Sequence, residues 1–421
     1  MTVKETTWEN IKLKYLASIN NETLSEETEP NLEINYIDIG NVDSNGNVNT
    51  VAKYLFSDAP SRARRIVRKG DVIISTVRTY LQAITSIDTE IENLIASTGF
   101  AVIRPIKEKF YQEFCKYALR ESNFLTEVQK RSVGVSYPAI NASDLGSISF
   151  KTPSYSNQIA ISQYLNKETA QIDALLKSKN VLLRLLSEKR QALITQAVTK
   201  GLNPEVSLKD SGIDWIGEFP EHWKILQLKF LSKEPLKYGA NEAALDENPS
   251  NPRFVRITDI DEKGNLKPET FKSLEPEIAE PYLLVDGDIL LARSGATVGK
   301  AFMYQDSWGI ACFAGYLIRV RCDLKKILPR FLILITQSNY YWSQIYAGTI
   351  QATIQNFSGE KYGSMKILLP GINEQNQIIT FLNSELNWIN SIAQKTEESI
   401  MMLLERKKAL ISAAVTGKLK L

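Results

Sequence analysis

The 421-residue chain has one histidine, His222, and three cysteines, Cys115, Cys312 and Cys322. A nucleophile–imidazole pair or a metal centre needs such groups at close, repeated spacing, and none of the four has it. His222 stands between Pro220 and Trp223 and reads as structural; the thiols read as reduced core residues of a cytosolic protein. SGATVGKA (Ser294–Ala301) approaches a phosphate-binding loop, but Ser294 occupies the place of the first glycine and Ala301 follows Lys300 where Ser or Thr is needed.

NPRF (Asn251–Phe254) has Arg253 where an amino-methyltransferase motif has its second proline, and no glycine-rich cofactor loop accompanies it. No catalytic residue, metal ligand or cofactor site is therefore expected. The chemistry that remains is recognition of a polyanion. RARRIVRK (Arg62–Lys69) places Arg62, Arg64, Arg65 and Lys69 in one short run, and Arg78, Thr79 and Tyr80 form a second basic and aromatic turn. The matching turn further on holds Arg293, Ser294 and Thr297, followed by Lys300. A second pair of loops lies ahead of two helical regions. One carries Lys130, Arg131 and Tyr137, the other Gln351, Gln355 and Asn356. Arg and Lys neutralise phosphates, Arg can grip guanine with two hydrogen bonds, and Gln or Asn can do the same for adenine. With a net charge of only +2, any such site must be local.

The elements that position these residues occur twice. EKRQALITQAVT (Glu188–Thr199) and ERKKALISAAVT (Glu405–Thr416) lie 217 residues apart, and at that offset 145–201 and 362–418 share 17 identities. The match extends back through GDVII and GDILL, through YIDIGNVDSNGNV and FVRITDIDEKGNL, and through WENIKLKYL and WKILQLKFL. The chain is thus one two-part module used twice, a globular part and then a helical part. The globular parts are 1–152 and 203–369 (the latter with a linker), and the helical parts 153–202 and 370–421. Short strands are expected at 34–39, 72–76, 101–103, 253–257, 289–292 and 317–320, with turns at 43–47 and 261–265. Helices are expected at 109–122 and 328–346.

In the helical parts, Ile161, Leu165, Ile172, Leu175, Leu182, Leu186, Leu193 and Ala197 recur at helical spacing. So do Ile378, Leu382, Ile389, Ile392, Leu403, Leu410 and Ala414. Ser154 or Ser156, and Asn373, are expected caps, and Gly201 and Gly417 expected stops. Helices of about 60 Å would outreach a domain of this size, so the two copies are expected to pair as an antiparallel coiled coil.

The ordered set of motifs resembles the specificity subunit of type I restriction–modification systems. It consists of the Gly70-Asp71 and Gly287-Asp288 pairs, ARSGATVGKAF (Ala292–Phe302), Pro370 with Glu374 and Gln375, the helix ends, and WIGEFPEHW (Trp215–Trp223). The first helix departs from it, with Asn157 before Gln158. The resemblance covers nearly the whole chain. It implies an α+β fold, with two pseudo-symmetric strand-rich target-recognition domains separated by two long antiparallel coiled-coil helices. It also implies a cytoplasmic DNA-binding subunit that is not itself an enzyme. Double-stranded DNA, two methyltransferase (modification) subunits and, in complete systems, two restriction (motor-nuclease) subunits are the implied partners. Methyl donor, ATP and Mg²⁺ would belong to those subunits.

Two other readings stand beside it: a coiled-coil protein-interaction scaffold, and a self-contained methyltransferase. Salt-sensitive duplex binding separates the first from a reader, and binding of the methyl donor by this chain alone would separate the second.

Overall fold

The Gly-Asp pairs show why the two halves fold alike. The computed structural model describes residues 8–43, 46–261, 264–349 and 356–419. At Gly70 (φ +93°) and Gly287 (φ +83°) the chain takes a left-handed turn that glycine allows without strain. The next side chain, Asp71 or Asp288, is then buried. Asp71 accepts two hydrogen bonds from Arg104, at 2.8 and 2.9 Å, and one from the Arg68 amide. Asp288 accepts the equivalent pair from Arg321, at 2.8 and 2.7 Å, and one from the Val285 amide. Glu22 and Glu234 each lie 3.1 Å from the same arginine. Two-pronged charge-assisted bonds of this kind offset the cost of burying the carboxylate.

The chain divides into two compact units, Met1–Lys179 with Glu397–Leu421, and Asn180–Thr396. In the first, an antiparallel sheet has the order Ala17–Ile19, Phe100–Pro105, Val72–Ser75, Ile84–Ser86. A second sheet has the order Ala52–Leu55, Glu33–Ile37, Leu94–Ser97, Ala63–Ile66, with its central pair parallel. The second unit repeats the antiparallel sheet as Lys237–Tyr238, Leu317–Val320, Ile289–Ala292, Ala301–Met303. It keeps a parallel pair, Arg253–Val255 with Ala311–Phe313. Both turn motifs close alike: Asn47 donates its amide to the Asp43 carboxylate at 2.8 Å, and Asn265 to that of Asp261 at 2.8 Å.

A short ribbon precedes each long helix, Glu9–Lys12 with Ser149–Thr152 and Lys224–Gln227 with Lys366–Leu369. It returns the chain to the start of its domain. The helices are Tyr155–Lys200 and Ile372–Val415. A buried glutamine pins each entry. Gln158 accepts from the Tyr111 amide and donates to the carbonyls of Lys109 and Pro153; Gln375 accepts from Leu328 and donates to Lys326 and Pro370. Asn373 lies inside the first turn, with Gly371 at the cap position. Glu374 accepts hydrogen bonds from the Trp223 indole and the His222 ring, a link for which Asn157 offers no carboxylate. His222 is thereby given a structural role.

The repeated helix ends finish in domain cores. In the first unit Ile161 and Leu165 pack with Ala414 and Val415 among Val72, Ile74 and Phe114. In the second, Ile378 and Leu382 pack with Ala197 and Val198 among Ile289, Leu291 and Phe331. Each core thus takes the start of one long helix and the end of the other. Beyond the ends, Gly201 (φ +72°) and Gly417 (φ +75°) take left-handed conformations that suit glycine; a Cβ at Gly417 would run into Trp8, and one at Gly201 would crowd Trp223 and Glu374.

Between the ends the helices meet side by side. Lys407 binds Asp173 at 2.6 Å in the first unit, and the Lys189 ammonium lies 5.0 Å from the Trp388 ring in the second. Within each unit the order is antiparallel: Asp173 meets Lys407 where Ile161 and Leu165 meet Ala414 and Val415, and Lys189 meets Trp388 where Ala197 and Val198 meet Ile378 and Leu382. Leu175 and Leu182 of the expected stripe stay exposed, because only the helix ends enter a domain core. The two short helical regions each break in two, Gln112–Ala118 with Ser122–Arg131 and Pro329–Thr336 with Asn339–Thr349.

Candidate nucleic-acid interface

Val72–Ser75 runs out of the first sheet into a tight turn, where Arg78 takes a left-handed conformation (φ +54°, ψ +51°). That is uncommon for arginine, and it projects the side chain into solvent beside Tyr137, with 4.8 Å from guanidinium to ring centroid. Tyr137 belongs to a loop closed by two backbone hydrogen bonds between Val133 and Ala139, at 2.9 and 3.0 Å. The loop is tied to the turn by Ile140 to Thr76 (2.9 Å) and by the hydroxyls of Thr79 and Ser132 (3.0 Å). Thr79 is buried by this contact, whereas Tyr80 is half exposed. Two regions singled out separately in the sequence therefore form one surface.

The basic run divides. The Thr98 amide bonds the Arg62 carbonyl, and the adjacent Gly99 carbonyl accepts from Thr76, so Arg62 joins the Arg78 end of the domain. Lys69 falls at the opposite end of Val72–Ser75, next to the Arg68–Glu22 ion pair. Arg64 stacks on Phe56 at 4.9 Å. Arg65 has a buried Nε with no acceptor among the described residues, and burial lowers its proton affinity. Lys130 and Arg131 share Glu127, at 3.1 and 3.4 Å. Hydrogen bonding from Lys130 holds that carboxyl below its ordinary range. These two cations are therefore partly neutralised, while Arg62, Lys69 and Arg78 have no ion pair among the described residues.

In the second unit Arg293 leaves Ile289–Ala292 and lies over Tyr238, again at 4.8 Å. Its amide bonds the Tyr316 carbonyl, and its own carbonyl accepts from Phe357. Ser294 forms a bridge with Asn356, so here too the turn and the loop before the helix meet. Gln351 and Gln355 lie outside the described residues. The Thr297 hydroxyl donates to the Ser294 carbonyl at 3.3 Å, Ser294 and Thr297 are half-buried, and Lys300 is exposed. Buried tyrosines clamp the turn from below: Tyr341 donates to Gly299 at 2.9 Å and Tyr362 to Ala292 at 2.6 Å. Tyr238 and the exposed Tyr316 were not singled out in the sequence. Their only signal is the pair of Tyr/Gly steps, Tyr238-Gly239 and Gly315-Tyr316. Among the described residues no His, Cys, Asp and Glu group could hold a metal ion.

The family model for the type I restriction modification DNA specificity domain matches residues 5–184 and 234–401, both halves of the repeat. The chain belongs to this family.

It is 23% identical over 361 residues to a putative type I restriction enzyme MjaX specificity subunit of Methanocaldococcus jannaschii, covering 83% of this chain and 79% of that one. It is 23% identical over 326 residues to the StySPI specificity subunit of Salmonella potsdam, covering 75% and 67%. A solved chain from a study of type I R-M complex assembly and conformational transition superposes with a TM-score of 0.75 at 20% identity, over 100% of both chains. The HsdS subunit of Thermoanaerobacter tengcongensis gives 0.57 at 20%, over 98% and 97%. The α+β architecture of two recognition domains and long helices is the fold of these specificity subunits. The function is DNA sequence specificity within a restriction–modification complex, and the subunit is non-catalytic. Nothing in the comparisons favours a scaffold. No described helix is long and apolar enough to cross a membrane.

Proposed function

We propose that this specificity subunit reads a bipartite, asymmetric duplex site in the cytoplasm, each recognition domain taking one half. The observation that carries this is a shared frame under unlike surfaces. The Asp71–Arg104 and Asp288–Arg321 pairs and the glutamine pins are the same in both halves. The exposed turns are not: Arg78 meets an aromatic from the loop after it, Arg293 one from the strand before it. Direct reading rests on Arg78, Tyr80, Tyr137, Arg293, Ser294, Lys300, Gln351, Gln355 and Asn356. Arg62 and Lys69 supply phosphate contacts, and Arg64, Arg65, Thr79, Lys130, Arg131 and Thr297 hold the surface. The domains 1–152 and 203–369 are the readers, and 153–202 and 370–421 the spacers.

Two methyltransferase subunits dock on the helices, where Met401, Met402 and Trp388 stay exposed. Restriction subunits join them in a complete system, and methyl donor, ATP and Mg²⁺ bind to those partners. Replacing 203–369 by the corresponding domain of a relative tests the division of labour: one half-site changes and the other is kept. A change in both halves would refute it.

A further inference from the structure

The most exposed apolar residues of the first unit are in the Val133–Ala139 loop. Val135 is fully exposed and Val133 is 80% exposed. Isolated exposed apolar residues are ordinary; these differ in where and how they are held. Two backbone hydrogen bonds between Val133 and Ala139 close the loop, an isolated bridge joins Val77 to Ala139, and Gly134 (φ +115°) makes a turn that another residue would strain. Arg78 stacks on Tyr137 of the same loop, and a run of backbone hydrogen bonds through Thr98, Gly99 and Thr76 puts Arg62 toward the same end of the domain. A firmly held apolar tip is thus presented beside cations that carry no ion pair among the described residues.

We infer that Val135 is a thymine reader, contacting the C5-methyl group of one thymine in the half-site of the first recognition domain. This deepens the proposed DNA-reading function and rests on it. The cations match the phosphate backbone, and the one apolar feature that the major groove offers beside its polar base edges is the thymine methyl group. The Val135 side chain has no polar atom with which to read any other base edge. The flanking Arg78 takes a guanine or a phosphate next to that thymine.

The test uses the subunit in complex with its methyltransferase partner. Once the methylated motif is known, each thymine of both half-sites is replaced in turn by uracil, which removes only the methyl group. Binding is then compared for the wild type and Val135→Ser, a substitution at a solvent-exposed position that leaves the fold intact. In the wild type, one uracil in one half-site weakens binding by about fourfold, the value of one buried methyl group. Val135→Ser loses that discrimination and binds the uracil duplex as the wild type does. The inference is overturned by a half-site pair without thymine, by uracil duplexes that bind as well as thymine duplexes, or by a Val135→Ser complex that still discriminates. A Val135→Ser chain that discriminates but loses its methyltransferase partner would assign the tip to a protein contact, which also overturns it. Complete absence of sequence-specific binding would instead strike the DNA-reading function itself, so the two failures are distinct.

Discussion

Arg78 and Tyr137 form a stacked pair, 4.8 Å from guanidinium to ring, that joins a strand-end turn to the loop ahead of a long helix. Arg293 and Tyr238 form a pair of the same dimension in the other domain, with the aromatic drawn from the opposite direction along the chain. A planar guanidinium held against a ring keeps its fork pointed, which is what two-pronged recognition of a base or phosphate requires. On the proposed reading, the same device built from unlike positions would give one chain two different readers.

Replacing Arg78 with alanine is expected to weaken binding by about 1–3 kcal/mol, the worth of one good base contact. The loss should appear only against changes in one half-site, measured by competition with duplexes altered in either half. Tyr137→Ala should cost about 0.5–1 kcal/mol. The double variant should lose less than the sum, because both changes break one pair.

Arg293→Ala should act on the other half-site by a similar amount and leave the first untouched. If both arginine variants relaxed the same bases, the assignment of one domain to each half would be wrong.

Much of this could be read in the sequence, and the limit has a physical cause. The strand at 289–292 is a continuous apolar run, that at 317–320 is apolar but for the buried Arg319, and their expected and observed bounds coincide. The repeated helix ends announced the duplication, but not that Ala197 and Ala414 finish in domain cores, since periodicity names a face and not its partner. Arg64 and Arg65 look like Arg62 in sequence. Only the structure tells them apart: Arg64 lies over Phe56, and the Arg65 Nε is buried. Tyr238 gave no signal beyond its Tyr-Gly step, because its partner Arg293 is distant along the chain and adjacent only in space.

The buried Gly-Asp carboxylates belong to stability. Asp71→Ala leaves Arg104 without its two-pronged partner, and Asp288→Ala does the same to Arg321. Glu22 and Glu234 still face these arginines, so each substitution should lower unfolding stability by about 1.5–3 kcal/mol, the worth of the lost charge-assisted hydrogen bonds. Urea unfolding followed by tryptophan fluorescence and circular dichroism would show the loss. The folded fraction should keep the half-sites of the wild type.

Inserting one heptad near residue 179 and another near residue 397 lengthens the helices by about 10 Å each. Both sites avoid the core-packed ends, and seven residues keep the stripe in phase. The methylated motif should then keep both half-sites and widen only the gap between them. An altered base within a half-site would contradict a spacer role.

The central claim is tested most directly by a methylation map. This chain is co-expressed with its cognate type I methyltransferase subunit in a host that lacks DNA methylation, and modified adenine is located by sequencing. The account predicts a bipartite asymmetric motif that vanishes when the chain is omitted, and that loses definition in one half alone with Arg78→Ala. A folded complex that modifies no defined sequence, or the same motif without this chain, would contradict it.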